Sequence, residues 1–226
     1  MIIGGMRKLS TLDYPGKLCV TVFAKGCNFR CPFCHNASLV LGEAERITED
    51  EIFSLLKKRQ GLVDAVCLTG GEPLLYDVRG FLEKVKALGF LVKLDTNGSF
   101  PEKLSSLVND GIVDYVAMDI KNSLSRYKAT AGADVNTENI KKSVAFLLEG
   151  KTDFEFRTTV VKGLHDMESM EEIGKWIKGN EKYYLQMFVP SENTIQQGLD
   201  PYTKDELEAL RQVVLNYVPN TFLRGV

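Results

Sequence analysis

No apolar run in the 226-residue chain approaches the ~20 residues a membrane-spanning helix needs. The first eight residues place the basic pair Arg7 and Lys8 behind the apolar ones, the reverse of a secretory leader. Neither sign of charge is in excess: 28 Lys and Arg stand against 30 Asp and Glu, a formal net charge of −2. That balance gives no general attraction to nucleic acid. Low-complexity tracts, internal repeats and dividing linkers are also missing, so one domain over residues 1–226 is expected. Five cysteines are too few to staple a chain of this length. A hydrophobic content of 44% excludes wholesale disorder.

What the chain does contain is an alternation of strand and helix signals. Leu18 to Phe23 alternates between two faces, a strand pattern that stops at Gly26. Thr48 and Glu51 have the spacing of a capping box ahead of Ile52, Leu55 and Leu56 on one helical face. Further strands are predicted at Ala65 to Thr69, Phe90 to Thr96, Tyr115 to Asp119, Phe154 to Val161 and Tyr183 to Phe188. Helical patterns separate them at Val78 to Leu88, Pro101 to Asn109, Ile140 to Leu148 and Met170 to Ile177. Another follows the Thr203–Glu206 capping pair. Six such strands imply right-handed βαβ units and a mainly parallel sheet. A closed (β/α)8 barrel takes ~250 residues. The expected fold is therefore α/β, an open partial (β/α)6 barrel.

In parallel α/β folds the working loops follow the carboxyl ends of the strands. Cys27, Cys31 and Cys34 follow the first predicted strand, and Gly70-Gly71-Glu72-Pro73 follows the second. Asp95-Thr96-Asn97-Gly98 ends the third, and Asp119-Ile120-Lys121 ends the fourth. Three thiolates at this spacing can grip one face of a [4Fe–4S] cluster and leave one iron open. Alternatively, Cys27, Cys31, Cys34 and His35 could form a Cys3His zinc set, although adjacent side chains rarely converge on one tetrahedral ion. Residue chemistry leaves both open. Either belongs to a reducing compartment, so a cytoplasmic protein is expected. Cys19 and Cys67, isolated within strands, read as core.

The loop from Cys27 through Cys31 to Cys34, with Phe33 before the last cysteine, resembles the radical S-adenosylmethionine (SAM) superfamily. Gly70-Gly71-Glu72-Pro73 is its second hallmark. Cys34-His35-Asn36, Asp95-Thr96-Asn97-Gly98 and Met118-Asp119-Ile120-Lys121 resemble the activating enzymes of glycyl-radical enzymes, such as the pyruvate formate-lyase activases. Leu12-Asp13-Tyr14-Pro15-Gly16 is similar to the opening of the activating proteins of anaerobic ribonucleoside-triphosphate reductase.

This resemblance implies one [4Fe–4S] cluster on Cys27, Cys31 and Cys34, with SAM chelating the open iron. An electron from the cluster would cleave SAM to methionine and a 5′-deoxyadenosyl radical, which takes a hydrogen from a glycine Cα of a partner. The implied partner is a glycyl-radical enzyme, specifically the anaerobic ribonucleotide reductase, with a flavodoxin or ferredoxin as electron donor. Phe33 is assigned to the adenine, His35 and Asn36 to the SAM pocket, and Gly70 and Gly71 to close approach of the methionyl group. Glu72 would order its loop or orient the amino group. Asp95, Thr96 and Asp119 match positions that hold a monovalent cation beside the SAM carboxylate in pyruvate formate-lyase activase. Lys121 would neutralise a carboxylate of SAM or of the partner. Chemistry alone also allows Asn36, Asp95 and Thr96 as helix caps and Lys121 as a surface residue. Arg157 and Lys162 sit where cofactor contacts are expected, whereas His165 reads as a capping or surface residue.

Two departures from the longer activases stand out. No further cysteine-rich insert is present, and Gln186-Met187-Phe188-Val189-Pro190 stands where the pyruvate formate-lyase activase has a SAM-contacting His. The competing functions are a radical SAM enzyme acting on a small molecule, resembling 7-carboxy-7-deazaguanine synthase, an activase of pyruvate formate-lyase, and a zinc-stabilised interaction domain. Replacing Cys27, Cys31 or Cys34 by Ala is expected to abolish SAM cleavage and lower the iron content. Cys19→Ala and Cys67→Ala should keep both, at a stability cost of about 1 kcal/mol. Full cleavage by Cys31→Ala, read by chromatography of the products, would contradict the cluster assignment.

Overall fold

The structure, a computed structural model, describes residues 1–180 and 182–226. Its elements in chain order begin with β1 (Ile3–Ser10), β2 (Cys19–Ala24), α1 (Ala37–Leu41), α2 (Glu49–Arg59), β3 (Ala65–Gly70) and α3 (Arg79–Ala87). They continue with β4 (Leu91–Thr96), α4 (Pro101–Asn109), β5 (Tyr115–Asp119), α5 (Tyr127–Ala131) and α6 (Thr137–Leu148). The chain closes with β6 (Asp153–Val160), α7 (Met167–Trp176), β7 (Tyr183–Met187), α8 (Lys204–Leu215) and β8 (Thr221–Arg224).

The strands form one sheet in the order β1-β2-β3-β4-β5-β6-β7-β8. From β2 to β8 every neighbouring pair is parallel. Only β1 runs antiparallel, against β2. The predicted strands are β2 to β7, and each is followed by a helical crossover, so the (β/α)6 arrangement stands. Both edges were missed. β1 carries Gly4-Gly5 and has two register irregularities, and β8 has four residues, too few for a period of 2 to register. The short helices α1 and α5, five residues each, escaped for the same reason.

Alternation along the strands sorts the side chains into two unlike sets. Val20, Val22, Val66, Leu68, Val92, Leu94, Val116 and Met118 face the helices and form the main apolar core. The opposite face curves into a lumen lined by Cys67, Lys93, Asp95, Tyr115, Glu155 and Arg157, which are linked by contacts across strands. Helix starts follow the sequence closely. Both halves of the capping box form at Thr48–Glu51 and at Thr203–Glu206.

A small apolar cluster of Tyr14, Cys19, Ala65, Cys67 and Tyr115 floors the lumen at the amino end of the sheet. Tyr14 and Tyr115 rings lie 5.6 Å apart, and Asp13 accepts from the Thr21 hydroxyl at 2.5 Å. The Asp13-Tyr14-Pro15-Gly16 segment therefore plugs the end of the barrel remote from the cysteine loop. Cys19 and Cys67 are fully buried, as expected of core. Cys67 also borders charge, with its sulfur 3.8 Å from Asp95 and 3.9 Å from Lys93.

Glu155, 1% exposed, pins the β8 edge to the interior. It accepts from Arg224 at 2.9 and 3.2 Å and from the Tyr115 hydroxyl at 3.1 Å. The Arg224 guanidinium lies 3.8 Å from the Tyr184 ring centroid, a cation–π contact. Arg224→Met would strand the buried carboxylate. Because Arg224 is itself partly open to solvent, the expected loss is about 2 kcal/mol, below the range for fully buried pairs. Urea unfolding checks this, and an unchanged midpoint would remove Glu155–Arg224 from the stabilising contacts.

Candidate active site

The cysteine loop leaves β2 at the carboxyl end of the sheet and is held from several sides. Its entry is fixed by the Gly26 amide on Leu39 O and by Gly26 O accepting from Glu72 N, at 2.9 and 2.8 Å. A turn within it brings Cys34 N to Cys31 O at 3.0 Å. The Cys27 sulfur accepts from Phe29 N at 3.3 Å and from Asn97 Nδ2 at 3.8 Å. Such donors favour a thiolate, against the burial that pushes the Cys27 thiol up to about 12 and raises Cys31 as well. Arg30 braces the loop by donating to the carbonyls of Cys27 and Phe29.

Two further segments clamp this loop. Arg30 N donates to Ala131 O at 2.9 Å. The contact is so close that a Cβ on Gly132 would lie 2.3 Å from Arg30 O, and Gly132 also sits at φ +62°. On the other side Gln196 N and Ile195 N donate to Pro32 O and Cys34 O. The His35 imidazole stacks on Phe188 at 5.4 Å and donates from Nε2 to Val189 O at 2.6 Å. Among the described residues no three His, Cys, Asp or Glu side chains converge as a single metal ion requires.

All the expected site residues except Glu72 line one cavity: Cys27, Cys31, Phe33, Cys34, His35, Asn36, Gly70, Gly71, Asp95, Thr96, Asp119 and Lys121. Arg157, Asn97 and Thr159 line it too. Asn36 stands at the start of α1 without capping it; its Nδ2 instead donates to Gly70 O at 3.0 Å. Phe33 is buried and meets the His165 ring edge-on at 6.4 Å.

Several of these residues have contacts that refine or change what was expected of them. Gly70 and Gly71 line the cavity and also make room for the protein's own backbone. A Cβ at Gly71 would lie 1.8 Å from Gly26 O, and one at Gly70 2.5 Å from Ala24 O. Glu72 is fully buried and straps two loops together, accepting from Leu74 N, the Thr96 hydroxyl and Asn97 N at 3.0, 2.9 and 2.6 Å. The Thr96 hydroxyl is thereby turned away from Asp95. Lys162 lies outside the cavity in a surface pair with Glu206. His165, read as a surface or capping residue, is 1% exposed. Its Nδ1 accepts from Val161 N, so Nε2 carries the proton donated to Lys121 O. Burial holds its pKa below the usual range. No periodicity marks this residue, whereas Asn97 was already visible in the Asp-Thr-Asn-Gly run.

Charges meet across the strand ends. Lys93 pairs with Asp95 Oδ1, and Arg157 reaches Asp95 Oδ2 at 3.3 Å and Asp119 Oδ1 at 3.0 Å. Lys121 closes the ladder on Asp119 Oδ2 at 3.0 Å. Burial alone would raise Asp119; Arg157 and Lys121 outweigh it and hold it at about 2. Asp95 is likewise lowered, by Arg157 and Lys93 against burial. Three cations face two carboxylates, which leaves one surplus positive charge at the cavity wall.

The model of the radical SAM superfamily matches residues 21–177. This chain belongs to the radical SAM superfamily. It is 32% identical over 233 residues to a candidate glycyl-radical enzyme activating enzyme of Methanocaldococcus jannaschii, covering 100% of this chain and 96% of that one. It is also 32% identical over 153 residues to the 7-carboxy-7-deazaguanine synthase of Koribacter versatilis, covering 64% of this chain and 62% of that one. Streptococcus suis SuiB bound to S-adenosylmethionine shares the fold, with a TM-score of 0.70 at 16% identity over 89% of this chain and 49% of that one.

In this radical SAM enzyme the donors present suit the family's cofactors. Three thiols open on the cavity that also presents the surplus positive charge, as a cluster and the amino-acid end of SAM require. A monovalent cation suits the site less well. Each carboxylate oxygen of Asp95 and Asp119 is already paired with Lys93, Arg157 or Lys121.

The Glu72 strap carries a pH signature. Burial raises its pKa to about 7 despite three donated hydrogen bonds. A carboxyl raised in the folded state contributes stability below its ordinary pKa and loses it as pH rises through the folded value. The apo protein should therefore lose on the order of 2 kcal/mol between pH 5 and pH 8, and Glu72→Gln should flatten that decline. Thermal melts across this range check it; equal slopes for both proteins would contradict the assignment.

Proposed function

We propose that this enzyme is a glycyl-radical enzyme activase whose protein substrate is the anaerobic ribonucleoside-triphosphate reductase. The observation that carries the activase reading is the full-length likeness to the candidate activase of Methanocaldococcus jannaschii. In this reading Cys27, Cys31 and Cys34 hold one [4Fe–4S] cluster, each on a different iron. When bound, the cluster supplies the electron for reductive cleavage of SAM, whose adenosyl carbon then takes a hydrogen atom from the partner's glycine Cα.

The chain's own residues bind and position. Arg157 and Lys121 offer the surplus charge to the SAM carboxylate. Phe33, His35 and Asn36 line the adenosyl side, and the Gly70 and Gly71 backbone bounds the methionyl side. Asp95, Thr96 and Asp119 act through the ion pairs and hydrogen bonds that fix this wall. The Glu72 strap fixes Thr96 and Asn97, and Asn97 in turn donates to the Cys27 sulfur. A flavodoxin or ferredoxin fits as the one-electron donor. The open sheet between the β1 and β8 edges gives a glycine loop a lateral way in, and such a contact is transient and modest in area.

The likeness to 7-carboxy-7-deazaguanine synthase favours a second reading, a small-molecule substrate, over about two thirds of the chain. Electron paramagnetic resonance separates the readings. Reduced protein plus SAM should produce a glycyl radical in the anaerobic ribonucleotide reductase and far less in pyruvate formate-lyase. The reverse pattern would overturn the target, and no glycyl radical in either would favour the small-molecule reading.

A further inference from the structure

Lys93 is 2% exposed, deep in the lumen, and sits two positions before Asp95 on the same face of β4. Its ammonium contacts Asp95 Oδ1 and lies 3.9 Å from the Cys67 sulfur. Arg157 holds the second oxygen of Asp95, and the Thr69 hydroxyl donates to that same oxygen at 3.1 Å. On Asp119, Arg157 and Lys121 hold one oxygen each. All four carboxylate oxygens are thus already paired with a cationic nitrogen of the chain. An inorganic ion at these carboxylates would have to sit against a cationic nitrogen already paired there.

We propose that Lys93 is a resident counterion that takes the place of a monovalent metal ion beneath the SAM site, so that SAM binding in this enzyme does not depend on alkali cations. An alkylammonium has about the radius and the same charge as potassium. Tethered to β4, it is present at every salt concentration, whereas a free ion occupies such a socket only above its dissociation constant. Lys93 is too deep to touch the ligand. It acts as a positioning residue: by neutralising Asp95 it leaves Arg157 free to turn its remaining positive charge toward the cavity. Removing the ammonium while keeping the stem's bulk, as in Lys93→Met, vacates a socket bounded by Asp95 Oδ1 and the Cys67 sulfur that a small cation can then fill.

The first arm of the test uses apo protein and needs neither cluster nor SAM, so it stands apart from the activase reading. Melting temperatures of wild type and Lys93→Met are compared in potassium, sodium, ammonium and choline chlorides at matched ionic strength. The wild type should be indifferent to the cation. Lys93→Met should melt lower in choline and recover in at least one of the small cations, a selectivity that a purely structural lysine would not produce. The second arm, SAM binding to the reconstituted enzyme, rests on the proposed function. There the wild-type affinity should be the same in all four salts, and the variant should be weaker by on the order of tenfold in choline, with recovery in a small cation. A wild-type melting temperature or SAM affinity that rises in potassium over choline overturns the proposal. So does a Lys93→Met protein that folds but ignores the cation. Should the variant not fold, the wild-type comparison decides alone.

Discussion

The Arg157 guanidinium spans the carboxylates of Asp95 and Asp119, and much of the molecule is arranged around that bridge. It joins the ends of β4, β5 and β6 at the level where the cavity opens. Ion pairs this deep stabilise only when both partners are present and their remaining hydrogen-bonding capacity is met. Here Lys93, Thr69 and Lys121 meet it. The division of the sheet into an apolar helix-facing side and a charged lumen follows from the same requirement. Helices cover one side fully, which lets the other be given over to groups a packed barrel interior would exclude.

The cysteine loop depends on its neighbours as strongly. It has little regular structure of its own, and its contacts are made to the loop after β3, to the end of α5 and to the segment after β7. Three separate crossovers thus converge to set the direction of the thiols. Two of these approaches are close enough that a side chain on Gly71 or Gly132 would obstruct them. Precision of this kind is what a cofactor carrying reactive chemistry asks of a protein, because the protein's task is orientation.

How legible was this in the sequence? The helices with capping boxes and the strands rich in Val and Leu were plain, since their signals are local and periodic. The cavity residues were plain too, because they fall at strand ends in recognisable runs. What escaped depends on tertiary proximity. Lys93 gives no local hint of burial; the neighbouring β3 brings Cys67 to its ammonium, and Arg157 reaches its partner Asp95 from β6, two strands away. His165 gives no hint of burial, yet it joins the loops after β5 and β6. The Gly-Gly pair was visible, but its reason lay in Gly26, more than forty positions away. Of the two roles expected of Glu72, the structure shows the ordering of loops, through Leu74 N, the Thr96 hydroxyl and Asn97 N. The edges β1 and β8 were too short or too irregular to announce themselves.

The central claim is that three thiols hold a single cluster whose fourth iron is left for SAM. Mössbauer spectroscopy of protein reconstituted anaerobically with 57Fe tests it most directly. One [4Fe–4S] centre per chain is expected, with one iron site whose isomer shift moves when SAM is added while the others stay in place. Zinc in place of iron, or a cluster whose irons are all unmoved by SAM, would contradict it.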